Sequence, residues 1–173
     1  MFNLQLFAEA VQGKKIIYLF RVLSKAADKA AVAMAFTTEN ERSKSKDADS
    51  TATKDGDIRT PGASEVEITA TAILAKGDTL VEELEDAMDN DDLIEIWEAN
   101  LEEPASTDGK FKGRYYQGYL TELSLSSSAE DHVEYSTTFA INGSGVKGEI
   151  SVSEEQQEVA AYVFKDTAAE TGA

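Results

Sequence analysis

The sequence contains no cysteine, and histidine occurs only once, at position 132. The lack of cysteine excludes disulfide frameworks, thiolate nucleophiles and cysteine-ligated zinc or iron–sulfur sites. A single histidine cannot form a histidine-pair metal site within one chain, and any histidine-based catalytic site would have to use His132.

Long apolar runs and an excess of basic residues are also missing. No apolar run approaches the 18 residues that a membrane-spanning helix requires, so no membrane contact is predicted. The first ten residues include Glu9 but no lysine or arginine, which differs from the basic start of a secretory signal. We therefore expect the chain to stay in the compartment where it is made. The net charge is −17, from 33 acids and 16 bases, and it disfavours binding to nucleic-acid phosphates or anionic membranes.

The 173 residues, 42% of them hydrophobic, are typical of one folded domain spanning 1–173. Alternating, β-branched and aromatic patterns predict strands, with a short helix as the alternative for the second of them. The predicted strands cover 14–23, 31–38, 65–74, 93–101, 110–125, 133–142 and 146–152. Segments 1–12 and 153–173 are predicted to be terminal arms.

Two helices are predicted among these strands. Residues 78–90 have apolar side chains at helical spacing, with Asp78 as the candidate N-cap. A short helix from 153 to 164 opens with Ser153 and Gln156 at capping-box spacing. Because strands and helices do not alternate regularly, the fold class is predicted to be mainly β. We expect an antiparallel β-sandwich or barrel with one flanking α-helix, a short C-terminal helix and a long extended loop.

Residues 39–64 form that long polar stretch, which has turn signals at Asp55–Asp57 and at Pro61–Gly62. A structureless loop of this length would be unusual inside a compact domain. The stretch is therefore either a long hairpin that protrudes from the body or a mobile segment that orders on assembly.

Charge is unevenly distributed along the chain. The 33 residues between Lys76 and Lys110 include 13 acids and no base, whereas five bases lie in 39–64. This pattern predicts a locally basic loop that could attract the acidic part of another copy, head to tail. On charge alone, a role only in solubility is equally consistent.

Three motifs in the sequence have spacings related to those of known chemical sites. Gly143–Gly148 matches G-x-G-x-x-G, but a predicted strand follows it instead of a helix, so a plain turn is favoured. The acids and threonines of 47–53 have calcium-loop spacing, but Ala52 and Ile58 replace the required glycine and glutamate. His132 has no nucleophile-elbow motif to accompany it. The sequence therefore predicts no catalytic, cofactor or metal site, and no enzyme.

Several segments, in order along the chain, carry a family resemblance. They are Gln12–Arg21, Thr53–Gly56 with Ile58–Thr60, Leu93–Trp97, Tyr116–Tyr119, Phe139–Gly143 and Tyr162–Thr167. The sequence resembles the major tail protein, or tail tube protein, of long-tailed, non-contractile bacteriophages of Gram-positive hosts. The opening Asn3–Glu9 also looks like the start of structural proteins in such phages.

The resemblance implies a β-sandwich or barrel subunit that makes hexameric rings. The rings would stack into a tail tube around a tape-measure protein and carry DNA into the host. It also implies contacts with a tail terminator and a distal tail protein, assembly in the host cytoplasm, and no catalysis. The alternative weighed is a virion-surface or cell-wall-binding β-sandwich that stacks sugars on exposed aromatic residues. The aromatics considered for that role are Trp97, Tyr115, Tyr116 and Tyr119.

Two sets of residues follow as candidate sites. Candidates for contact between rings lie in the polar stretch: Arg42, Lys44, Lys46, Lys54, Asp55, Gly56 and Arg59. An acidic inner wall would let DNA slide, because like charges prevent the phosphates from binding. Candidates for that wall are the polar positions of two predicted strands: Glu65, Glu67, Thr69, Thr71, Glu134, Ser136 and Thr138.

Overall fold

The computed structural model describes residues 9–161, which form a mainly β, antiparallel structure with two helices. The helices are α1 (Leu80–Asp89) and α2 (Glu154–Ala161). The strands are β1 (Ile16–Val22), β2 (Val32–Ala33), β3 (Thr37–Thr53), β4 (Gly56–Ile73), β5 (Ile94–Pro104), β6 (Lys110–Ser126), β7 (Glu134–Ile141) and β8 (Val146–Ser151).

All eight strands belong to one sheet, in the order β2-β1-β5-β6-β7-β4-β3, with β8 paired to the first part of β6. The sheet curls over a single main core. Phe20 on β1 stacks on Phe139 on β7 with ring centroids 5.2 Å apart, although two strands separate them in the sheet. Helix α1 packs its buried face, including Leu84, into the same core. This curled sheet with one flanking helix confirms the predicted fold class.

Local patterns explain several of these elements. Along β7, Tyr135, Thr137 and Phe139 are buried while their neighbours are not, as the alternation predicted. The N-cap position of α1 is Thr79 instead of the predicted Asp78, but Asp78 Oδ1 still accepts a hydrogen bond from the Leu80 amide (2.9 Å) and satisfies one free donor at the start of the helix.

The predicted capping box of α2 is also present. Gln156 N–H donates to Ser153 Oγ at 3.3 Å, and Ser153 N–H donates to Gln156 Oε1 at 3.1 Å. The rest of the predicted C-terminal arm, 162–173, lies outside the described residues. So does 1–8 of the predicted N-terminal arm.

The strand predicted over 31–38 is wrong in extent. Only Val32 and Ala33 pair with β1, and the chain then turns at Phe36, whose φ is +48°. The turn redirects the backbone into β3, so Thr37 pairs with Ala72 on β4. The short helix weighed as an alternative does not form there either.

The polar stretch 39–64 is a β-hairpin, the first of the two alternatives. β3 and β4 pair along their whole length from Thr37 to Gly56, with two register shifts, one between Thr37 and Glu39 and one between Lys46 and Ala48. Gly143–Gly148 is a turn into a strand, as expected. Gly143 and Gly145 have φ of +70° and +74°, and β8 follows. None of the described helices is long and apolar enough to cross a membrane.

Candidate functional site

The distal part of the β3–β4 hairpin, residues 44–65, is a two-stranded ribbon that leaves the body of the sheet. β4 pairs with β7 only from Val66 to Ile73, and beyond that point β3 is its one partner among the described strands. Every side chain from 44 to 61 is exposed. At roughly 3.3 Å per residue, the ribbon extends on the order of 30 Å. An isolated pair of strands is marginally stable in water, so the ribbon gains little stability from its own pairing.

An ion pair fixes the base of the hairpin. Arg42 Nε on β3 donates to Glu98 Oε2 on β5 at 2.6 Å, and Tyr18 Oη on β1 donates to the same oxygen at 2.6 Å. Burial and the hydrogen bond to Glu98 raise the pKa of Tyr18 well above its usual range, so the phenol remains a donor. Hydrogen bonding to Glu98 also raises the pKa of Arg42. Arg42, predicted as an inter-ring residue, is thus half-buried and engaged within the subunit.

The other predicted inter-ring residues lie along the ribbon and are exposed. Lys54 and Asp55 occupy the turn, where Thr53 pairs with Gly56, and Arg59 pairs with Ser50. The prediction that 39–64 is locally basic is wrong, because this stretch holds six acids and five bases and its net charge is slightly negative. The charges are separated by face instead of by segment, because alternate residues of a strand point to opposite sides.

The structure brings the predicted wall residues together on one sheet face. Thr69 pairs with Thr138, and Thr71 pairs with Ser136. The hydroxyl oxygens of Thr71 and Ser136 lie 3.1 Å apart. Glu67 lies further along β4 and Glu65 beyond it, while Glu134 ends the row on β7. We call this surface, on the solvent side of β3, β4, β7 and the end of β6, the acidic sheet face.

Sequence reasoning missed several members of this face. Glu39 pairs with Thr71, Glu41 with Thr69, and Glu122 with Thr138, so each carboxylate joins the same row. Within the described part of these four strands, no lysine or arginine shares the face. The positions of the charged residues along β3 could have revealed these members of the face. The acids of β3 fall at odd positions and its bases at even ones.

The aromatic residues weighed for sugar stacking are occupied by the subunit itself. Trp97 packs against Tyr115 at 5.2 Å between centroids, and the Arg21 guanidinium lies 5.0 Å from the Trp97 ring. Tyr115 Oη and Arg21 Nε both donate to the buried carboxylate of Glu95, each at 2.7 Å. Burial, followed by the bond to Glu95, raises the pKa of Tyr115. Tyr116 is buried as well, which leaves Tyr119 as the exposed member of that set.

The residues of the candidate catalytic and calcium motifs lie on the surface, apart from one another. His132 lies in the exposed connection before β7, and Asp47 and Asp49 lie on the ribbon. Among residues 9–161, no group of three acidic or histidine side chains is arranged to hold a metal ion.

Comparison with solved structures shows a fold shared with proteins from phage and phage-like tails. The tail tube of Bacillus phage SPP1, solved by solid-state NMR and cryo-EM, matches with a TM-score of 0.73 and 20% identity. The match covers 94% of this chain and 95% of that one. The tail of an empty gene transfer agent particle matches with a TM-score of 0.58 and 12% identity, over 79% of this chain and 98% of that one.

Sequence comparison then identifies the family. Residues 10–147 match the model of the phage tail tube protein family. A putative tail protein of Staphylococcus phage phiMR25 is 32% identical over 156 residues, which cover 87% of this chain and 80% of the relative. The chain belongs to the phage tail tube protein family, as its resemblance implied, and it is a structural component of the virion tail.

Proposed function

We propose that six copies of this chain form a ring and that the rings stack into a tube through which DNA passes into the host. The observation that carries the proposal is the combination of an acidic sheet face with an unsupported ribbon on one subunit. The two-stranded ribbon would be stabilised by packing on a neighbouring subunit, whereas the acidic sheet face is polar and can remain in solvent. Sixfold symmetry is supported by the similar gene transfer agent tail, which was refined with C6 symmetry.

The rings would close through strand edges. β3 is the last strand of the sheet, so its outer edge has no strand partner within the described residues. Unpaired backbone groups along such an edge are a template for a strand from another copy. The opposite end of the sheet is short, since β2 covers β1 only at Leu19 and Phe20. Edge-to-edge pairing would convert six curled sheets into one continuous wall.

The acidic sheet face is proposed to line the bore. Carboxylates with no base among them repel DNA phosphates, so the genome would slide without being held. A tape-measure protein would fill the bore before DNA enters it. A tail terminator and a distal tail protein would cap the two ends, and assembly would take place in the host cytoplasm. The subunit has a structural role in this proposal and no catalytic one.

Electron microscopy of the purified full chain tests the proposal. Concentrated protein should give stacked rings or tubes in negative stain, with sixfold end views, and the tubes should not retain duplex DNA at low salt. A chain that remains monomeric at high concentration and is absent from virions would contradict it. So would a tube that binds DNA tightly.

A further inference from the structure

The ribbon has two chemically different faces. On β3 the register alternates without interruption from Asn40 to Thr53, because the shift near Lys46 is taken up by an extra residue on β4. Side chains that pair directly across two antiparallel strands point to the same side. Arg59, opposite Ser50, therefore shares a face with Lys46. One face thus carries Lys44, Lys46 and Arg59, with Asp57 as its acid, and the other carries Asp47, Asp49 and Glu65.

Among the described residues, the basic face has no charged partner in its own subunit. No ion pair among the described residues involves Lys44, Lys46 or Arg59, although Arg42 on the same side of β3 is paired to Glu98. The acidic face of the ribbon continues directly into the acidic sheet face, since Glu65 and Glu67 are successive positions on one side of β4. A partner surface that covers the basic face of the ribbon would therefore leave the acidic face of the ribbon exposed and continuous with the acidic sheet face.

Helix α1 presents an unpaired surface of the opposite charge. Its exposed side carries Glu85, Asp86 and Asp89, and no basic residue lies in its last turn. Carboxylates near a helix C-terminus face the negative end of the macrodipole, and like charges one turn apart repel each other. The described ion pairs of α1 involve Glu83, which binds Lys25 and Lys29 on another side of the helix. Cations from outside the subunit would relieve this repulsion.

We infer that the basic face of the ribbon docks on the exposed acidic side of α1 in a second copy of this chain, in the adjacent ring. The inference rests on the proposed function and names the surfaces that would hold the rings together. The ribbon reaches on the order of 30 Å and α1 is about 15 Å long, so one ribbon can span the helix. The same hairpin would then join two rings with one face and continue the wall across their junction with the other.

Charge reversal tests the docking surface. The triple variant K44E/K46E/R59E should raise the concentration needed for tube formation by about tenfold or more, since several exposed ion pairs are lost and replaced by repulsion. The matched control D47K/D49K changes neighbouring residues on the other face of β3, and it should assemble at the wild-type concentration. Thermal unfolding of each variant checks that the subunit remains folded.

A charge exchange identifies the receptor. The variant E85K/D86K/D89K should also assemble poorly alone, while an equimolar mixture or a combination with K44E/K46E/R59E should restore tubes. Tube formation by wild-type protein should weaken as salt rises, because exposed pairs are screened, and this readout needs no variant.

The outcomes separate this inference from the proposed function. Normal assembly of K44E/K46E/R59E, or equal damage from D47K/D49K, would overturn the docking inference while wild-type tubes still supported the tube. Failure of the charge exchange to restore tubes would overturn α1 as the receptor. Absence of wild-type tubes would instead refute the tube itself.

Discussion

Arg42 and Glu98 are 56 residues apart in sequence, yet Arg42 Nε lies 2.6 Å from Glu98 Oε2. The contact crosses the curled sheet from β3 to β5 and ties the base of the hairpin to the body. With Tyr18 on the same carboxylate oxygen, it sets the direction in which the ribbon leaves the subunit. The backbone pairing of β4 with β7 also holds this base, and the ion pair adds a side-chain contact from β3 to β5.

Removing the arginine should therefore destabilise the subunit. Arg42→Ala leaves a mostly buried carboxylate with only its tyrosine donor, and we expect a loss of about 1–2 kcal/mol in the free energy of unfolding. Lys44→Ala, two positions along the same strand and exposed, should change it by less than about 0.5 kcal/mol. Urea unfolding measures both. Equal effects from the two substitutions would argue against a structural role for the Arg42–Glu98 pair.

Acid should weaken the fold in part through Glu83. The hydrogen bond from Lys29, together with the charge of Lys25, holds the pKa of Glu83 below its ordinary 4.5 despite partial burial. A carboxyl whose folded pKa is lowered stabilises the folded state fully above about pH 4.5, and this contribution is lost as pH falls through the lowered value. Glu83→Gln should therefore be less stable than wild type at pH 7, and the difference should shrink near pH 3.

Unfolding curves at a series of pH values measure this difference. Glu130→Gln, in an exposed loop and in no described ion pair, serves as the control. The expectation fails if the gap between wild type and Glu83→Gln stays constant from pH 7 to pH 3.

Two glycines of the sheet should respond differently to substitution by alanine. At Gly118 on β6 an added Cβ would overlap the backbone carbonyl oxygen of Ala140 on β7, which cannot move without breaking the ladder. Overpacking of this kind costs about 1–3 kcal/mol, so Gly118→Ala should lower the melting temperature by several degrees. At Gly148 on β8 no atom lies within 4 Å of the added Cβ, and Gly148→Ala should be neutral or slightly stabilising. Similar melting temperatures for both variants would contradict the close approach at Gly118.

The ribbon should be dispensable for folding and required for stacking. Replacing residues 47–63 by Asn-Gly joins Lys46 to Ser64, which already pair, through a turn suited to hairpins. The removed side chains are almost all exposed, so the free energy of unfolding should change by less than about 1 kcal/mol. Sedimentation should then show monomers or single rings but no tubes. Long tubes from the shortened chain would exclude the ribbon as a contact between rings.

Elements that carry a burial pattern were predictable from the sequence. The alternation along β7 and the capping box at Ser153 and Gln156 were both confirmed, because each depends on residues close together in the chain. For 39–64 the sequence left two alternatives, a hairpin or a mobile segment. Both faces of the ribbon are exposed to solvent, so its strands lack the apolar periodicity that identifies a strand.

Other features depend on contacts that no local pattern encodes. The turn at Phe36 has a positive φ at a bulky residue and no glycine, asparagine or proline signal. The pairing of Arg42 with Glu98 follows only once the sheet curls. The members of the acidic sheet face were partly found, because β4 and β7 alternate clearly. The acids of β3 were missed because its charges were counted by segment instead of by odd and even position.

The acidic sheet face should decide whether the tube lets DNA slide. The variant E65K/E67K/E134K replaces three carboxylates of that face by ammonium groups, which bind phosphate and release counterions. Assembled tubes of this variant should retain duplex DNA at low salt, and each new contact should add about one to the slope of log affinity against log salt. Particles carrying it should eject their genome more slowly than wild type.

A matched variant separates position from net charge. E102K/E130K/D131K makes the same change in charge at exposed residues that lie off the acidic sheet face. Because these side chains do not belong to the acidic sheet face, its tubes should bind DNA only outside the proposed bore, where competing heparin or nuclease removes it. DNA inside the bore of E65K/E67K/E134K tubes should be protected from both. If the two variants protect DNA equally, the acidic sheet face does not line the bore.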